Sequence, residues 1–274
     1  MASASVPGGR SRSASQLAKG ISMTENSKHV TFERVYGSVA KVNGWMTKGQ
    51  ARLLWRSARS LVSGEQIVEI GSFQGRSTIV LASAAAPGVD ITAIDPHAGN
   101  DRGPNEIDGY SAEAESDNMV FRSNLDGAGV ADRVRHVRKF SDAAHDDVVG
   151  AIDLLYIDGA HRYGPAHEDI VRWGDRVAEG GTMLIHDSFN AVGVTAAQAA
   201  ALFVSKKWRY IGRSESMAEY RREQLGFGGV VLNLGRQLAQ LGYFAWCILI
   251  KGLITLRLGK VTKLLGNPSG NWPY

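Results

Sequence analysis

Apolar residues in this chain fall into short dense runs separated by longer stretches with a helical rhythm. The runs are QIVEI (66–70), DITAID (90–95), VRHVRK (134–139), AIDLLYID (151–158) and TMLIHD (182–187). Their lengths and β-branched content predict strands, and the near-continuous apolarity of most of them predicts burial on both faces. VRHVRK is the weakest of the five. Helices are expected over GRSTIVLASAAA (75–86), near SAEAESDNMVFRSNL (111–125), over GPAHEDIVRWGDRVAEGG (164–181), where two glycines close the segment, and over the Ala-rich stretch 192–206. WRYIGRSES (208–216) and GFGGVVLNL (226–234) lack a helix-length connector and are expected to pair antiparallel. Residues 31–64 read as helices packed ahead of the first strand. Strands alternating with helices predict an α/β fold: a seven-stranded, mostly parallel sheet with helices on both faces and an antiparallel last pair.

In such open sheets ligands sit beyond the carboxyl ends of the strands. Acids at those ends are therefore candidate chemistry: Glu69 near the end of the first strand, with Asp95 ending the second, Asp158 the fourth and Asp187 the fifth. Asp153 begins its strand, so it belongs to the opposite edge and reads as structural. Gly71 lets the chain turn where a side chain would block a ligand, and Gly75 permits close strand–helix approach. Asp95 is placed to accept hydrogen bonds from a ribose diol. The G-x-x-x-G spacing differs from the dinucleotide G-x-G-x-x-G, which disfavours an NAD-linked oxidoreductase, the alternative enzyme class for this sheet. Asp158 and Asp187 close neighbouring strands and can share a divalent cation; hard oxygen ligands suit Mg²⁺ or Mn²⁺.

VEIGSFQGRST, AIDP, IDLLYIDGAHRYGPAHEDIVRW and GGTMLIHDS together resemble class I S-adenosylmethionine-dependent methyltransferases. Within that class they are similar to the branch of cephalosporin hydroxylase-like proteins and macrolide-sugar and rhamnosyl O-methyltransferases. The resemblance covers roughly residues 40 to 235 and implies a Rossmann-like methyltransferase fold that methylates a hydroxyl. It implies that Glu69, Gly71 and Ser72 hold the methionine part of S-adenosylmethionine, that Asp95 holds its ribose and that Ser141 lies near adenine. Gly75, Ser77 and Asp158 complete the implied cofactor set. Asp158 and Asp187 would bind metal, and His161 would act as general base. Some relatives carry an acid where this chain has His186, so His186 is a candidate third ligand, with Asn190 in reserve. That departure keeps a third class open, a non-catalytic membrane-associated binding protein. His167 reads as surface or packing. His97 is open between cofactor contact and loop decoration, and Trp45 and Met46 between a roof over the cofactor and ordinary core.

Charge changes the picture at the two ends. No acid follows Glu223, whereas Arg236, Lys251, Arg257, Lys260 and Lys263 do, after an uncharged run QLAQLGYFAWCILI (237–250). That run is short for a spanning helix and suits an interfacial helix on anionic lipid through residues 236–264, an oligomer contact being the alternative. Nucleic acid is not expected as a partner. A glycan or glycolipid acceptor follows if the tail meets a membrane. Residues 1–28 read as a disordered tail, with Met1 or Met23 as the start, ahead of a methyltransferase domain at 29–235 and a basic extension at 236–274. One cysteine in 274 residues and no export signal predict a cytoplasmic protein, peripheral on the inner face of the membrane. Residues 99–118 are expected to form part of an acceptor lid.

Overall fold

The computed structural model describes residues 30–98, 111–267 and 272–273, with side chains omitted for 111–114. The N-terminal tail and most of the expected lid lie outside these residues.

Helices α1 (Phe32–Val39) and α2 (Lys48–Arg59) come first, α2 opened by a capping box in which Thr47 and Gln50 satisfy each other's backbone N–H. Then follow β1 (Gln66–Ile70), α3 (Arg76–Ala84), β2 (Asp90–Ile94), α4 (Ser111–Gly127), β3 (Val134–Val137), β4 (Ile152–Ile157), α5 (Tyr163–Glu168), β5 (Val177–Ile185), α6 (Val192–Leu202), β6 (Trp208–Ser214) and β7 (Met217–Arg222). Three C-terminal helices complete the order: α7 (Phe227–Leu238), α8 (Leu241–Thr255) and α9 (Gly259–Leu264). The sheet runs β3-β2-β1-β4-β5-β7-β6, parallel from β3 through β5, with β7 antiparallel to both of its neighbours. The expected fold class is thus present: a Rossmann-like methyltransferase fold.

Alternation along the buried strands feeds two cores. Ile67, Leu154, Tyr156 and Leu184 pack with α1–α4, while Val68, Leu155, Ile157, Met183 and Ile185 pack on the other face around Trp173 and Phe189. Asp153 accepts from the Gln66 N–H at 2.8 Å, at the edge away from the acidic rim.

Three expected boundaries are corrected. The helix over 164–181 is shorter: α5 passes into a π turn (Asp169–Trp173) and a 3₁₀ turn (Gly174–Arg176), and β5 already begins at Val177. Gly180 and Gly181 accommodate a register shift against β4 instead of stopping a helix. The Ala-rich helix ends at Leu202, short of 206. GFGGVVLNL is helical, and the last pair is β6 with β7. Tertiary contacts decided that assignment. Asn233 accepts from the Tyr210 N–H at 2.6 Å and donates to the Trp208 carbonyl at 3.1 Å, covering the free edge of β6. One turn on, Gln237 accepts from the Tyr220 hydroxyl at 2.9 Å. Two amides spaced by four residues share a helix face, whereas on a strand they would lie about 13 Å apart.

Candidate active site

The strand order reverses between β1 and β4, and beyond their carboxyl ends lies a cavity of about 770 Å³. Loops leaving such a reversal diverge, which opens a crevice. One wall comes from the ends of β1 and β2: Gly71, Ser72, Phe73, Asp95 and His97, with Trp45, Met46 and Ser141 around them.

Gly71 has φ +85°, and a Cβ there would fall 2.1 Å from the Asp158 carbonyl oxygen. The close approach of the β1 and β4 ends therefore demands the glycine, in place of the expected need for ligand space. At Gly75, φ +87°, a Cβ would meet Leu125 at 2.6 Å and Phe121 at 3.2 Å. The expected close approach is thus to α4 and is helix against helix. Glu69 is fully buried and lies outside the cavity lining. Its two oxygens accept from the Ser77 and Thr78 hydroxyls at the start of α3. Burial pushes its carboxyl up to about 8, against those two hydrogen bonds. Glu69 is a buried brace between β1 and α3, while Ser77 reaches the cavity itself.

Asp95 lines the cavity and organises the loop around it, accepting from the Phe73 and His97 N–H groups at 2.7 Å each. The buried His97 ring meets the Phe73 carbonyl at 2.7 Å through Nε2. His97 is therefore a loop brace in the cavity wall. Among the described residues Ser72 Oγ, buried there, has no hydrogen-bond partner, an orphan that suits a polar ligand. Ser141 also lines the cavity and bonds Asp169, which burial pushes up to about 7 against that bond. Sequence reasoning missed Asp169, because nothing in HEDIVRW marks this acid as inward-facing.

The opposite wall is charged. Asp158 accepts from the Tyr156 hydroxyl at 2.8 Å. Asp187 Oδ2 lies 2.7 Å from His161 Nε2. The strand has ended by Ile185 and Asp187 has φ +54°, so residues 186 and 187 escape the strand alternation and both turn toward Asp158. His186 Nδ1 sits 3.0 Å from Asp158 Oδ1 and 3.4 Å from Asp187 Oδ2, but out of line for a hydrogen bond, so charge attraction dominates. Burial disfavours an imidazolium at His186, yet the two carboxylates outweigh it and hold its pKa well above the ordinary value. Burial likewise opposes charge on Asp187, but His186 and His161 hold it below the carboxylate range.

Ligand atoms of Asp158, His161 and Asp187 lie within 4.8 Å of one another, a spacing that fits one divalent ion. His186, the expected third ligand, is beside this group, and His161 takes its place within it. Asn190 instead donates to the Pro273 carbonyl at 2.8 Å. His167 stacks on Tyr163 with ring centres 5.4 Å apart, away from the cavity lining. Two further lining residues come from the C-terminal extension, Lys251 and Trp272.

Residues 68–188, from β1 to the turn after β5, match the family described as a methyltransferase domain. These residues form a methyltransferase domain. The matched stretch contains all four strand-end acids and agrees with the expected methyltransferase activity. Solved structures share the fold around it. Cofactor-bound Rv0187 from MTB is similar at 18% identity over 71% of this chain and 88% of its own, with a TM-score of 0.50. Methyltransferase PaMTH1 of Podospora anserina is similar at 15% identity over 80% of this chain and all of its own (100%), TM-score 0.51. The O-methyltransferase NovP is similar at 15% identity over 66% of this chain and 84% of its own, TM-score 0.50. The matched residues thus supply most of both cavity walls, while Trp45 and Met46 ahead of β1 and Lys251 and Trp272 at the far end of the chain come from outside them.

Proposed function

We propose that the protein transfers a methyl group from S-adenosylmethionine to a hydroxyl, and that the acceptor is a sugar of a glycolipid or lipid-linked glycan. The observation that carries the hydroxyl reading is the His161–Asp187 pair at 2.7 Å on the rim of the cavity. A carboxylate fixed against one imidazole nitrogen orients the ring and stabilises the imidazolium formed when it takes a proton. With Nε2–H donated to Asp187, the basic nitrogen of His161 is Nδ1. That nitrogen would take the proton of an acceptor hydroxyl and leave its oxygen nucleophilic toward a methyl donor. The cofactor supplies an electrophilic methyl on a sulfonium. Ser72, Ser77, Asp95 and Ser141 would hold it along the uncharged wall, with Asp169 behind Ser141. Asp158 and Asp187 would hold a divalent ion, which lowers the pKa of a bound hydroxyl.

The lipid-linked acceptor is supported by the C-terminal helices. Residues Phe227–Thr255, 29 in all, form a helical stretch apolar enough to cross a membrane, longer than the expected run of 237–250. Phe227, Leu249, Leu256, Leu258 and Leu264 are exposed among Arg236, Arg257, Lys260 and Lys263, a pattern suited to lying on anionic lipid. Calorimetry of the full chain with S-adenosylhomocysteine and with NAD⁺ tests the core reading. Heat of binding with the first alone is expected; binding of NAD⁺ alone would sink it.

A further inference from the structure

We infer that Lys251 and Trp272, both outside the methyltransferase domain, form an acceptor subsite for an anionic group, a carboxylate or phosphate carried by the sugar. The inference rests on the cavity being a methyl-transfer site and names the class of acceptor that it takes.

Lys251 projects from α8 into the cavity lining and is half-buried. Its Nζ donates to the Asn190 carbonyl at 3.1 Å and lies 5.3 Å from the centre of the Trp272 ring. Both partners are neutral. Among the described residues no carboxylate forms an ion pair with Lys251, and Asp187, the acid closest in influence, is already engaged by His161 and His186. Ammonium groups withdrawn from water are normally matched by an anion. Among the described residues two of the three N–H donors remain to be matched, and they border the cavity.

Its position relative to the reacting centre is set by a short chain of contacts. The Asn190 and Ala191 N–H groups donate to the Asp187 carbonyl at 3.2 and 2.9 Å, so the Lys251 anchor is the same tight turn that carries the acid of the His161 pair. Asn190 is fully buried and its side chain donates to the Pro273 carbonyl, which ties Trp272 to that turn as well. Tyr243, two turns before Lys251 on α8, stacks under Arg213 of β6 at 3.6 Å, and Cys247 and Ile250 are buried. The helix is thus held from the sheet side while Lys251 faces the cavity. Trp272 adds a flat apolar wall, about half exposed, against which the C–H face of a sugar can lie.

The test uses the full chain saturated with S-adenosylhomocysteine and titrated with glucuronate, glucose 1-phosphate and glucose. At least one charged sugar is expected to bind tighter than glucose by about tenfold or more, the scale of one charge-assisted hydrogen bond. Lys251→Met should abolish that preference, Lys251→Arg should keep most of it, and Trp272→Ala should weaken all the sugars that bind. The affinity for S-adenosylhomocysteine should stay unchanged throughout, which also reports folding. Equal binding of the three sugars, no sugar binding, or a preference that survives in Lys251→Met would overturn the subsite. Failure of the wild type to bind S-adenosylhomocysteine would instead overturn the methyl-transfer reading itself.

Discussion

The two walls of the cavity are built on different principles. The wall called uncharged, although it includes Asp95, follows mainly one stretch of chain from β1 to the loop after β2, and its order comes from backbone groups: Asp95 gathers two N–H groups, and His97 meets a carbonyl. The charged wall collects Asp158, His161, His186, Asp187, Lys251 and Trp272 from segments more than 100 residues apart, held by charge balance. The first can position a cofactor whatever the acceptor. The second can be altered by changing single charges, and under the proposed function it is the wall that would set specificity and take the proton.

His161→Ala should break the comparison most sharply. Methyl transfer is expected to fall by roughly 10²- to 10⁴-fold, the usual contribution of a general base, while S-adenosylhomocysteine affinity is retained. Single-turnover kinetics beside calorimetry would separate the two, and parallel losses would mean that the walls are not independent.

Asp169 probes the uncharged wall through pH. Its folded-state pKa, about 7, is raised above the ordinary 3.8, so the folded state holds the proton more tightly than the unfolded chain. Its contribution to stability is therefore full below about 4 and is lost as pH rises to about 7, with a limiting slope of about 1.4 kcal/mol per pH unit. Asp169→Asn should match the wild type near pH 4 and exceed it near pH 8 in denaturant titrations. A variant less stable at both ends would mean that the carboxylate itself is needed.

The smallest effect concerns the rim. Leu256→Glu with Leu264→Glu changes exposed positions and should weaken flotation with anionic vesicles several-fold while leaving S-adenosylhomocysteine binding intact. Unchanged flotation would remove the membrane surface from the account and leave the acceptor subsite standing.

Much of the uncharged wall was legible because its parts are contiguous. QIVEI is strand to the residue and Gly71 follows it as expected, while Asp95, expected to end β2, comes one residue past Ile94. Glu69 misled for a physical reason. An acid at the end of a fully buried parallel strand has two directions open to it, and the Ser77 and Thr78 hydroxyls drew it inward. In the charged wall Asp158, His161 and Asp187 were legible as residue types at strand ends, but not their pairing. The turn at Asp187, with φ +54°, lets His186 and Asp187 share a side, and no local pattern encodes that.

Hydrophobic period and glycine placement are local properties, and they determined the five parallel strands and the position of the crevice. Whether GFGGVVLNL became strand or helix was decided by the free edge of β6, whose backbone groups needed the Asn233 amide. The arrival of Lys251 and Trp272 at the cavity was decided the same way, by contacts between residues far apart in the chain. Period and propensity act over a few residues, whereas burial of charge and satisfaction of buried hydrogen bonds are settled only once the whole chain has closed on itself.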